Sequence, residues 1–174
     1  MTAPLEPWLR GPVAGIEPLL QPVAHALMGV AEDLPPLLRS LTDEEVWETP
    51  GASAPIGYHL WHMTGSLDRL LTYVRGETLS PAQWDAYAAE QKITELRPAR
   101  TELIDLLTAT LDRSIRDLHG IGADVLLDPR EVGRARRPSN VLGLLVHAAE
   151  HTVRHAGQIV TLSRVLRPQG PSLA

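Results

Sequence analysis

Apolar residues at helical spacing mark out four long segments of the chain. In the first, from about Pro18 to Arg39, Leu19, Leu20, Val23, Leu27, Val30, Leu34 and Leu37 recur every three or four positions, the period of one helix face. Pro22 suits a first turn, where the missing N–H costs little. Pro35 and Pro36 are expected to bend this helix or end its regular part. "TDEEVWETPGASAP" reads as a polar connection opened by Thr42. A second helix is expected from near Pro55 to about Arg75, stopped by Gly76, and "ETLSPAQWDAYAAEQ" has room for a further short one. A third fits "RPARTELIDLLTATLDRSIRDLHG", with Leu103, Leu106, Leu107, Thr110, Leu111, Ile115 and Leu118 as its stripe and Gly120 as its stop. The linker "IGADVLLDPREVGRARRPSN" is basic in its second half and closes on Pro138, with Ser139 or Asn140 as N-cap of the next helix. That fourth helix, about Val141 to Leu166, is apolar nearly all round, the pattern of a helix covered on most sides. Strand signals are weak throughout. Four helices with two long connections imply an all-α four-helix bundle. The expected organisation is one domain over residues 1–174, with an irregular proline-rich arm over 1–14 and a flexible tail over 167–174.

Composition narrows the chemistry. At 174 residues the chain can bury one substantial core, and with no Phe that core must rest on Leu, Val, Ala, Ile and the four Trp. A net charge of -5 and a pI near 5.8 give no general pull towards nucleic acid or anionic membranes. The absence of Cys excludes disulfides, thiolate metal ligands and a cysteine nucleophile. The start "MTAPLEPWLRGP" lacks the basic residues and apolar run of a signal peptide, and no apolar run approaches the roughly 18 residues of a membrane span. The expectation is a soluble cytoplasmic protein that acts on a small molecule, with neither nucleic acid nor membrane as partner.

Histidines carry the candidate chemistry. In "VHAAEHTVRHAGQ", His147, His151 and His155 are spaced by four and so share one stripe of the fourth helix. "YHLWHMTGSLD" places His59 and His62 three apart on one face of the second. Burying so many imidazoles without partners is costly, and a shared metal ion answers that cost. Three histidines with an open fourth position make a site that does chemistry or binds a ligand. Zinc is the first expectation, while nickel, iron, copper and manganese are also served by imidazole. The alternative is that each ring simply hydrogen-bonds within the core, the reading given to His25 and His119, which are otherwise solvated.

A rival motif occupies the same letters. "HAAEH" matches the H-x-x-E-H of inverted zinc peptidases, with His147 and His151 on zinc and Glu150 as general base. Such enzymes need a later acidic ligand, and no Asp or Glu follows Glu150, so this reading fails. Glu150 also points about 100° away from His151 around the helix. Arg130, Arg134, Arg136 and Arg137 precede the fourth helix, either as an anchor for carboxylates of a ligand or as a solvated basic loop. Asp68 and Arg69 read as a surface ion pair in preference to groups supporting the site. Tyr58 and Trp61 read as core, and Trp8, Trp47 and Trp84 as walls of a pocket or covers for the bundle ends.

From about Gly15 to Leu166 the chain resembles the DinB-like proteins, named from DNA-damage-inducible genes, which include the YfiT-type metal-dependent hydrolases. The resemblance is carried by "LTDEEVWETPG", "IGYHLWHMTGSLDRLL", the third helix at the expected distance, and above all "EHTVRHAGQI", with its H-x-x-x-H-x-G-Q signature. It implies an up-down-down-up bundle and a metal held by His62, His151 and His155, with His59 as the substitute for His62. By the same resemblance His147 lies above the site without binding the metal. Gly157 would let another helix approach, and Gln158 would either bond a ligand or close a helix contact. Family members with assigned reactions are transferases or isomerases using bacillithiol, mycothiol or glutathione, and others are described as hydrolases. The resemblance therefore implies a thiol-dependent transferase or isomerase acting on an electrophilic small molecule. The alternatives are a metal-dependent hydrolase or a non-catalytic stress-response protein that holds metal or a small ligand. A homodimer through helix faces is also implied.

Overall fold

Helix starts are set by local chemistry along this chain. The computed structural model describes residues 5–167, so the tail expected over 167–174 lies outside them apart from Arg167. Helix α1 spans Gln21–Arg39, with Pro22 in its first turn, after a 3-10 turn at Pro18–Leu20. Helix α2 (Asp43–Trp47) opens on a capping box: Thr42 Oγ1 accepts from the Glu45 N–H, and the Glu45 carboxylate accepts from the Thr42 N–H. Helix α3 (Ile56–Val74) ends before Gly76, whose φ of 75° reverses the chain at no steric cost. Helix α4 (Pro81–Glu90) repeats the capping box with Ser80 and Gln83. A single turn, α5 (Ile93–Leu96), leads to α6 (Arg100–Leu118). Helix α7 (Val141–Leu166) is capped by Asn140, whose Oδ1 accepts from the Gly143 N–H at 2.7 Å.

Side-chain contacts between the long helices fix their directions. The start of α6 meets the end of α1, where Arg100 Nη1 donates to the carbonyls of Leu38 and Arg39, so these two run antiparallel. Asp68 pairs with Arg113 and Arg75 with Asp117, which makes α3 parallel to α6. His62 faces His151 and His59 faces His155, which makes α7 antiparallel to α3. The result is the up-down-down-up bundle, with α1 and α3 each packed against both α6 and α7. Its core runs through Leu20, Leu27, Leu34, Leu60, Met63, Leu67, Leu107, Leu111, Leu145 and Ile159. Trp47 closes one end. Its ring lies on Gly57, and its Nε1–H donates to the Pro98 carbonyl at 3.2 Å.

Several expectations need correction. Pro35 and Pro36 sit inside α1, which continues to Arg39. Their rings leave the carbonyls of Ala31 and Glu32 without donors, but both residues reach solvent, and buried Leu34, Pro35 and Leu38 hold the last turns against the core. Helix α7 is not covered on most sides: Val146, Val153 and Val165 are exposed along its outer face. Leu106 is likewise exposed, and Ile104 and Ser114 take core positions on α6. The basic linker is regular despite its weak strand signals. It forms an antiparallel hairpin of β1 (Pro129–Val132) and β2 (Arg137–Asn140), with Pro129 opposite Asn140 and Val132 opposite Arg137. The hairpin brings the carbonyls of Leu126 and Asp128 to the N–H groups of Leu142 and Val141, satisfying donors that the first turn of α7 cannot pair internally. Residues 1–4 of the expected arm lie outside the described residues; over 5–14 the chain is irregular apart from a 3-10 turn at Pro7–Leu9, and a two-point Arg10–Glu32 pair ties it to α1. Among the described residues no helix is long and apolar enough to cross a membrane.

Candidate metal centre

Antiparallel packing of α3 on α7 brings four imidazoles from opposite helices into one cluster. His62 Nε2 lies 3.3 Å from His151 Nε2, and His59 Nδ1 lies 3.0 Å from His155 Nδ1. The ring centroids of His62, His151 and His155 are 4.6 to 5.1 Å apart pairwise. Each of these three can point one nitrogen at a common position, with the three nitrogens within 4.8 Å of one another. His59 is nearly buried behind them and contacts His155 through the ring nitrogen. His147 stands a turn above, with its ring centroid 5.5 Å from His151, but is half exposed and leans towards Glu150 at 3.4 Å.

A carboxylate supports the cluster from outside. Buried Glu90, the last residue of α4, accepts a hydrogen bond from His62 Nδ1 at 2.7 Å through Oε1. An ionised carboxylate only accepts, so His62 Nδ1 carries a proton in this bond and Nε2 is the nitrogen that faces the cluster. The second Glu90 oxygen lies 3.4 Å from Arg69 Nη2. Tyr58 stacks on the His62 ring at 5.7 Å with planes 6° apart, further limiting its rotation.

Electrostatics favour the neutral form of His59, His151 and His155. Burial is the main cause pushing His151 and His155 down to about 4, reinforced for His151 by His62 and for His155 by His151. Burial, then His62, also lowers His59. Burial alone raises Glu90, but the hydrogen bond and charge of His62 and the nearby Arg69 outweigh it and hold the carboxyl below its usual range. At neutral pH His59, His151 and His155 therefore present unprotonated imidazole nitrogens, the donor state a divalent cation requires.

These residues fit a metal ion. None of His62, His151 or His155 has a ring nitrogen bonded to a main-chain carbonyl among the described residues; His62 meets His151 and Glu90, and His155 meets His59. With zinc–nitrogen bonds of about 2.0–2.1 Å, a tetrahedral site separates its nitrogens by roughly 3.3 Å, the spacing already found between His62 and His151. The three are positioned so that they could hold a metal ion.

The remaining residues singled out in the sequence are dispersed. Asp68 forms a surface pair with Arg113 at 2.8 Å, whereas Arg69 does not join it: largely buried, it supports Glu90. Glu150 is exposed and bound to Arg154 on its own helix. Gln158 is exposed, and a side chain at Gly157 would meet nothing within 4 Å, so neither position closes a helix contact. His25 bonds the Gly11 carbonyl at 3.0 Å, and His119 is exposed. Arg130 donates to the Val74 carbonyl and Arg136 pairs with Glu131, but Arg134 lies over the Trp84 ring at 4.4 Å. Glu90 is not among the residues that the sequence pattern singles out. Its signal is the spacing of Trp84, Tyr87 and Glu90, which repeats every three residues along one side of α4.

Comparison with known proteins agrees with this architecture. A crystal structure of a conserved protein from Enterococcus faecalis superposes with a TM-score of 0.69 over 86% of this chain and 98% of its own, at 19% identity, a likeness of fold. No curated protein matches the sequence significantly. The family model for the DinB superfamily matches residues 26–159, a span that includes His59, His62, Glu90, His151 and His155. By that match and by the threading of its four long helices, the chain belongs to the DinB superfamily.

Proposed function

We propose that the protein is a divalent-metal-dependent enzyme, a transferase or isomerase that adds a low-molecular-weight thiol of the bacillithiol or mycothiol kind to an electrophilic small molecule. His62, His151 and His155 are the ligands, and zinc is the first expectation for the ion. The observation that carries this reading is the convergence of three imidazoles from two helices, with a carboxylate behind one of them and no acidic group among the three. A cation held there supplies Lewis acidity, which lowers the cost of ionising a thiol at neutral pH. The chain's own part is to fix the geometry. Glu90 sets the tautomer of His62, His59 takes up the second nitrogen of His155, and the bundle holds α3 against α7. Having no Cys, the chain supplies no thiol nucleophile, so the thiol must come from a cofactor.

The test is consumption of an electrophile panel by the zinc-loaded protein with bacillithiol, mycothiol or glutathione, run beside His151→Ala. Thiol-dependent conjugation or isomerisation lost in His151→Ala supports the proposal. Metal retention without turnover of any electrophile would favour a non-catalytic metal-binding protein. Thiol-independent cleavage of esters or amides would favour a hydrolase.

A further inference from the structure

Beyond the histidine cluster a cavity of about 360 Å³ opens between α3, α4 and the β1–β2 hairpin. Leu70, Tyr73, Leu79 and Val132 give it an apolar lining, and Trp84 and Tyr87 an aromatic one. Its only charged lining groups are two guanidiniums, each lying on an aromatic face: Arg69 over Tyr87 at 4.8 Å and Arg134 over Trp84 at 4.4 Å. Stacking occupies the flat face of a guanidinium and leaves the N–H edge available for a carboxylate fork. Arg134 has no acidic partner among the described residues. Arg69 has one, through a single 3.4 Å contact between Nη2 and Glu90. Positive charge is thus in excess in a mostly apolar chamber whose volume falls in the range of about 300–1,000 Å³ usual for small-molecule sites.

We propose that this cavity binds a small organic acid, with its carboxylate on the N–H edges of Arg69 and Arg134 and an apolar or aromatic body against Leu70, Leu79, Trp84 and Tyr87. Binding follows from the cavity itself. The acid's role as the electrophilic substrate rests on the metal-centre reading above. Two relationships join the sites. Ser66, which lines the cavity, lies one turn beyond His62 on the same side of α3, and Glu90 bridges His62 and Arg69. The cavity therefore adjoins the histidine cluster through Ser66 and Glu90.

The test uses 2-naphthoate and its neutral counterpart 2-naphthamide, titrated calorimetrically into the metal-free full-length protein. The acid is expected to bind about tenfold more tightly than the amide, the weight of one charge-assisted hydrogen bond. Arg134→Gln, at an exposed position, should abolish that preference, and Trp84→Leu should weaken both ligands. In His151→Ala both affinities should be unchanged, so failure of the metal reading leaves this result intact. Glutathione, an acid with a polar body, should bind more weakly than naphthoate. Equal binding of acid and amide, an unaltered preference in Arg134→Gln, tighter binding of glutathione, or no naphthoate binding at millimolar concentration would each overturn the proposal.

Discussion

Glu90 Oε1 lies 2.7 Å from Nδ1 of His62, although the two residues are 28 positions apart and belong to different helices. That bond makes α4 part of the candidate metal centre. It also carries the connection outward, since the other Glu90 oxygen meets Arg69, which lines the neighbouring cavity. One buried carboxylate thus orients a ligand candidate on one side and balances a cavity arginine on the other.

Replacing that carboxylate should therefore weaken metal binding without unfolding the bundle. Glu90→Gln keeps an acceptor near His62 but removes the charge, and the expected loss in zinc affinity is about 10–100-fold. Competition against a chromogenic chelator measures it. Unchanged affinity would mean that Glu90 serves only as the counter-ion of Arg69.

How much of this was legible in the sequence depended on periodicity. The long helices and the four clustered histidines follow from spacing, and the position of α7 from Val141 to Leu166 agrees with its pattern. Glu90 did not stand out because α4 is short, largely exposed and weakly amphipathic, so one buried acid among polar neighbours leaves little trace. The hairpin escaped because its strands, "PREV" and "RPSN", carry two prolines and no alternating apolar pattern. The pairing of Arg69 with Glu90 instead of Asp68 is a tertiary fact, set by where α4 packs on α3.

Among the fourth-helix histidines, the geometry separates ligand candidates from a neighbour. His155→Ala should abolish stoichiometric zinc binding, whereas His147→Ala, which alters a half-exposed ring beside Glu150, should leave it intact. Elemental analysis of the two purified variants after zinc loading reads the difference. Loss of zinc in His147→Ala would move the site one turn along α7.

The metal-free protein should lose stability on mild acidification. An unfolded histidine titrates near pH 6.5, while folded His151 and His155 are held to about 4, chiefly by burial. Between those values the unfolded chain binds protons that the folded chain refuses. The stabilisation is complete above about pH 6.5 and drains away as pH falls towards about 4. Tm measured across that range in the presence of chelator should decline, and the decline should flatten in the His151→Ala, His155→Ala double variant. A Tm that is level from pH 7 to 4 would contradict the burial of these rings.

Packing at the end of the bundle makes a separate prediction. A Cβ at Gly57 would lie 2.6 Å from carbons of the Trp47 ring, and that ring is also held by its hydrogen bond to Pro98. Gly57→Ala should cost about 1–3 kcal/mol through overpacking, and in a chain this long each kcal/mol lowers Tm by roughly 2–4 °C. Thermal melts of the parent and variant proteins decide it, and an unchanged Tm would place Trp47 elsewhere.

The central claim is that His62, His151 and His155 close on a single ion. Its most direct test is calorimetric titration of zinc into chelator-stripped protein, beside His151→Ala. The account predicts one ion per chain, a higher Tm in the loaded protein, and loss of both in the variant. Zinc uptake of equal stoichiometry and affinity in His151→Ala, or no uptake by the parent, would contradict it.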